Sequence, residues 1–69
     1  MDQREVEDIV RAVLRHYGLG ATIGRITSSG GNWDVEIIDA SRTITIVHIP
    51  TDTAQGVRRA VMNAFDVEG

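Results

Sequence analysis

Two histidines, a short row of carboxylates and one arginine pair are the side chains whose types suit chemistry. His16 and His48 are the only imidazoles of the chain. A zinc site needs further ligands, and no His, Asp or Glu stands at ligand spacing from either histidine. His16 falls where a helical pattern ends, a place where the helix dipole favours a cation. His48, near the end of a strand pattern, reads as a partly buried structural residue, with general-base work as the catalytic alternative. Asp34, Glu36 and Asp39 form an acidic row. Paired carboxylates can exchange protons or bind a cation; at alternate strand positions they are more simply a solvated strand face. Arg58 and Arg59, in "GVRRAV", can hold a phosphate or a partner carboxylate, or remain a solvated helix face. The serines have no evident histidine partner that calls for a triad.

"GLGATIG", Gly18 to Gly24, has glycines at a spacing that superficially suits phosphate binding. It follows a helical pattern and leads into a strand, the reverse of the order that places phosphate at a helix N-terminus. Gly18 is better read as a helix stop, and Gly24 as the mark of a bulge.

These groups must be positioned by five elements. Val6, Ile9, Val10, Val13, Leu14 and Tyr17 recur at helical spacing, with Arg4, Asp8, Arg11 and Arg15 outside that stripe. Asp2 followed by Glu5 has the form of a capping box, and Gly18 closes the helix. "ATIGRITS" is rich in β-branched residues and leads through the turn "SGGN" into "WDVEIID", where Trp33, Val35 and Ile37 alternate with Asp34, Glu36 and Ile38. Asp39 to Ser41 reads as a second tight turn. "RTITIVHI" is a third strand, with Ile44, Ile46 and His48 on one side and Thr43, Thr45, Val47 and Ile49 on the other. Two short turns predict an antiparallel meander. Pro50 ends the ladder, Thr51, Asp52 and Thr53 are all suited to N-cap the last helix, and Asp52 with Gln55 would form a second box. That helix turns Val57, Ala60, Val61, Ala64 and Phe65 inward, and "DVEG" is expected to fray.

The predicted fold is therefore α+β, a two-layer α-β-β-β-α domain with both helices on one face of a three-stranded meander. Ile38 and some of Thr43, Thr45, Val47 and Ile49 are expected on the open face. At 69 residues the chain is one domain, and a chain of this size buries only about 60% of its unfolded surface. An exposed apolar face would then favour self-association.

Composition narrows the function classes. There is no cysteine, which excludes disulfides and thiolate metal sites. No apolar run approaches the roughly 20 residues of a membrane span, and the acidic start "MDQREVEDIV" is unlike a signal peptide; the expected location is the cytoplasm. Seven arginines and no lysine face ten acids, a net charge of −3. That balance disfavours nonspecific nucleic-acid binding, which rests on phosphate attraction. One Trp, one Tyr and one Phe make a poor base-stacking platform.

The order α-β-β-β-α at this length resembles the double-stranded-RNA-binding-domain fold. Within it the chain resembles the small HicA (YcfA-type) toxins, the mRNA-cleaving partners of HicB antitoxins. The likeness spans most of the chain: a first helix ending in "HYGL", a glycine-rich hairpin, a strand ending in "VHIP", and a last helix starting "GVRRAV". The latter is similar to the family's Gly-x-x-Arg-x-Ile, with Gly56, Arg59 and Val61 in the matching places. The family's catalytic element is Gly-Ser-His at the first hairpin, where this chain has Gly30, Gly31 and Asn32. Asn exchanges no proton near neutral pH, so the general-base role that the resemblance implies is unfilled. The His and Pro of "VHIP" stand in the reverse of the family's order, and the toxins are generally basic.

The expected function is accordingly a non-catalytic interaction module for a protein partner or a second copy, of a size that suits an accessory or inhibitor protein of a bacterial or phage system. No cofactor, metal or membrane is expected. Ile38, Val47 and Ile49 are the expected interface, and Arg58, Arg59, Asn32, Trp33 and His48 the expected binding residues. The alternative is an RNA binder or a divergent ribonuclease using His48.

Overall fold

A computed structural model describes residues 1–66. It contains α1 (Gln3–His16), β1 (Thr22–Ser29), β2 (Asn32–Ile38), β3 (Ile44–Ile49) and α2 (Ala54–Ala64). The fraying expected of "DVEG" concerns mainly residues 67–69, which lie outside the described range.

Each element starts and stops for a local reason. Asp2 Oδ1 accepts the Glu5 amide at 2.9 Å and caps α1. At the other end Leu19 N–H reaches Leu14 O at 3.0 Å and Gly18 N–H reaches Arg15 O at 3.2 Å. This pair of bonds needs a left-handed residue after the cap, and Gly18 supplies it at φ +59°. Gly30 and Gly31, at φ +56° and +86°, join β1 to β2 through a two-residue turn. Positive φ at both positions matches the twist of the flanking strands and is costly for other residues.

The β2–β3 connection is longer than the tight turn expected. Arg42 N–H closes on Asp39 O at 3.0 Å, and Asp39 N–H on Thr43 O at 3.1 Å. Arg42 takes φ +66°, a left-handed conformation strained for a residue with a Cβ. For α2 the cap is Thr53, whose Oγ1 accepts Gly56 N–H at 3.1 Å. Asp52 makes no box with Gln55: its Oδ1 accepts the Trp33 indole N–H at 3.3 Å, and Oδ2 meets the N-terminal ammonium at 3.3 Å.

The strands form one antiparallel sheet in the order β1-β2-β3. Both helices lie on one face, and one core joins Val6, Val10, Val13 and Leu14 of α1 with Ile26, Trp33, Val35, Ile37, Val47 and Ile49 of the sheet and Val57 and Val61 of α2. Ala64, expected inward, is exposed.

The register of β3 corrects the expected faces of that strand. Trp33 pairs with Ile49, Val35 with Val47, and Ile37 with Thr45. Directly opposed residues of an antiparallel pair share a face, so the inward Trp33, Val35 and Ile37 put Ile49, Val47 and the half-buried Thr45 on the core side. Val47 and Ile49 are 3% and 0% exposed, while Ile44 and Ile46 are 56% and 65% exposed. A period-two strand with apolar residues on both sides reads equally well either way, and only its pairing partner decides.

Candidate functional site

The expected site residues separate into three places. Arg58 and Arg59 lie in the helical layer and are neighbours in sequence only. Arg58 lines a groove against α1 with Asp8, Ile9, Ala12, Val13 and His16. Arg59 lines another at the start of α2, with Thr53, Gln55 and Gly56. Adjacent helical residues point about 100° apart, which is why the two line separate grooves. Gly56 has a steric reason: a Cβ on it would stand 2.8 Å from Thr53 Oγ1, the capping atom.

Trp33 is the second place. It is 7% exposed and its indole N–H is satisfied by Asp52, so it is a core anchor rather than a contact surface. Val47 and Ile49 belong there too and line no open face.

The third place is the outer face of the sheet. The alternation of β2 directs Asn32, Asp34, Glu36 and Ile38 there, and the register adds Ile44, Ile46 and His48 from β3. The β2 residues, flanked by strands on both sides, are half-buried; the β3 residues stand on an edge strand and are exposed. Ile38 faces Ile44, and Ile46 is two residues beyond Ile44 on the same side, which makes an apolar corner of three isoleucines. The other end is polar. His48 Nδ1 lies 2.8 Å from Asp34 Oδ1, its cross-strand partner. His48 is thus exposed, not the partly buried residue expected, with its side chain at 59%.

The acidic row is only two residues long. Asp34 and Glu36 share the outer face, and Glu36 lies over the bulge where β1 shifts register between Ile23 and Ile26. A Cβ on Gly24 would stand 2.5 Å from Glu36 Oε1, so the glycine makes room for that carboxylate. Asp39 has left the row for the turn. Its Oδ1 accepts the Ser41 hydroxyl at 2.6 Å, the Ser41 amide at 2.9 Å and the Thr43 amide at 3.0 Å. The Ser41 hydroxyl first, then the Thr43 amide, hold its carboxyl below the usual carboxylate range.

The chemistry available is limited. A histidine oriented by a carboxylate is half of a general-base arrangement, but it lies on an open sheet face, away from both arginines. Among the described residues no three of His, Cys, Asp and Glu group together as metal ligands. The Asp34–His48 pair and the Asp52–Trp33 bond escape sequence reasoning, since each joins residues that only the folded pairing brings together.

The chain matches no protein-family model, no curated protein and no solved structure.

Proposed function

We propose that this chain is a small non-catalytic protein-interaction module, on a fold akin to the double-stranded-RNA-binding domains and the HicA toxins. It binds a protein through the outer face of its sheet. One observation carries the reading: Ile44 and Ile46, at 56% and 65% exposure, stand beside Ile38 on an edge strand. Large apolar side chains grouped at a free sheet edge are a common mark of an interface. The net charge of −3 and the separation of Arg58 from Arg59 weigh against a phosphate-gripping surface. Asn32 in the hairpin position where the toxins carry histidine weighs against cleavage.

The test compares Ile44→Ser with Ile46→Ser, as a double variant, against Arg58→Ala with Arg59→Ala. Chemical cross-linking in a cell lysate reads association with any protein, a second copy included, and a low-salt gel shift with hairpin RNA reads nucleic-acid binding. The module predicts association lost in the isoleucine variant, kept in the arginine variant, and no RNA shift. An RNA shift that weakens steeply with salt and disappears in the arginine variant would replace this reading by the RNA-directed one.

A further inference from the structure

The two edges of the sheet are built differently. β1 is broken by its bulge and carries Gly24 and the exposed Arg25 at that point. Bulges, glycines and charges are what keep an edge from pairing with another strand. β3, "ITIVHI", keeps an unbroken register with β2 over all six residues, and His48 is its one ionisable side chain. It is the edge with no such protection.

The backbone groups free on that edge can be identified. Asp39 N–H bonds Thr43 O, so Asp39 turns its backbone toward β3. In an antiparallel ladder bonded and non-bonded pairs alternate. Ile37–Thr45, Val35–Val47 and Trp33–Ile49 are then the bonded pairs, and Ile38–Ile44, Glu36–Ile46 and Asp34–His48 the others. Ile44, Ile46 and His48 therefore aim their amide and carbonyl groups away from β2, off the edge. The hairpin at Gly30–Gly31 gives the same answer, because Ser29 and Asn32 close it as a pair and place the even-numbered residues of β2 toward β1.

The geometry points to a second copy of this chain as the occupant, its β3 pairing antiparallel with this one about a two-fold axis at Ile46. The inference rests on the interaction-module reading and names its partner. In that register Ile44 faces the partner's His48, Ile46 faces the partner's Ile46, and His48 faces the partner's Ile44. These are the three residues with free backbone groups, and all three pairs form their two bonds. Moving the axis to Val47 sets Ile44 against the partner's Pro50, which has no N–H. Moving it to Thr45 sets His48 against the partner's Arg42, which lies in the turn. The side chains also agree: the outer face joins Ile46 to the partner's Ile46, the core side joins Thr45 to the partner's Val47, and no like charges meet. The product is a six-stranded sheet with the two isoleucine corners side by side. The contact is small, so a weak dimer is expected, with a Kd on the order of 10 to 100 µM.

The experiment uses the intact chain at concentrations up to about 1 mM, with circular dichroism to check each fold. Ile46→Lys sets two ammonium groups face to face at the axis, while within one chain it faces Glu36 and leaves the fold intact. Ile46→Glu sets two carboxylates there; within one chain it opposes Glu36, so it is compared only at concentrations and pH where circular dichroism shows it folded. Each alone is expected to weaken dimerisation on the order of tenfold. An equimolar mixture is expected to restore it as the mixed dimer, seen by native mass spectrometry. A wild-type chain that stays monomeric overturns the inference. So does a variant that dimerises as well as wild type, or a mixture that shows no recovery; each of these results leaves open the interaction module with another protein on the outer face. Failure of the module itself has a separate signature, the arginine-dependent RNA shift.

Discussion

The Trp33 indole N–H donates to Asp52 Oδ1 across 3.3 Å and ties β2 to the turn that feeds α2. Removing the acceptor leaves a nearly buried donor unpaired, while Asp52 itself is half exposed. Asp52→Ala is expected to cost about 1 to 2 kcal/mol, and Asp52→Asn, which keeps an acceptor oxygen, clearly less. Urea unfolding followed by the emission of this single tryptophan measures both. Equal losses would mean that charge, not the hydrogen bond, stabilises the turn.

Val47 and Ile46 are sequence neighbours on opposite faces of β3. Val47→Ala is expected to destabilise by about 2 kcal/mol through lost burial and a cavity. Ile46→Ala, measured at low protein concentration, should stay within about 0.5 kcal/mol of wild type. The reverse ranking would contradict the register.

Arg42 holds φ +66° at the end of the β2–β3 turn. Glycine adopts that conformation without a Cβ penalty, so Arg42→Gly is expected to raise stability by about 0.5 to 1 kcal/mol. A higher urea midpoint with an unchanged slope is the sign to look for.

Asp39 gives the turn an acid-sensitive element. Its folded-state carboxyl is held below its ordinary value by the Ser41 hydroxyl and the Thr43 amide. A depressed carboxylate contributes stability above its unfolded value, and that contribution is lost as pH falls through the folded one. The urea midpoint of wild type should therefore decline below about pH 4, and Asp39→Asn should be less stable at pH 7 with a shallower decline. Parallel pH curves for the two proteins would exclude this role.

Much of the fold was legible because its signals are local. Asp2 and Gly18 bound α1, and Gly30–Gly31 can serve only a turn of the kind found. The alternation from Trp33 to Ile38 has a polar side, so its inward face was plain. β3 was not legible in this way. Ile44 and Ile46 compete with Val47 and Ile49 for the core, and hydrophobicity alone ranks them equally. The candidate site suffered from the same ambiguity: Ile38 lies on the outer face as expected, but Val47 and Ile49 were expected there and Ile44, Ile46 and His48 were not. The arginine pair looked like one site because sequence adjacency hides the turn of a helix.

The sequence by itself determined the five elements, their order, the two-layer architecture and the glycine turn of the first hairpin. These follow from periodicity, capping and residue identity, each a property of a few neighbouring positions. Only the tertiary structure decided which face of β3 is inside, that Asp34 meets His48, and that Asp52 serves Trp33 rather than its own helix. Those choices depend on cross-strand register and on contacts between distant segments. The free energy that selects among them comes from burying Val47 and Ile49 together with the rest of the core, which no short window of the chain contains.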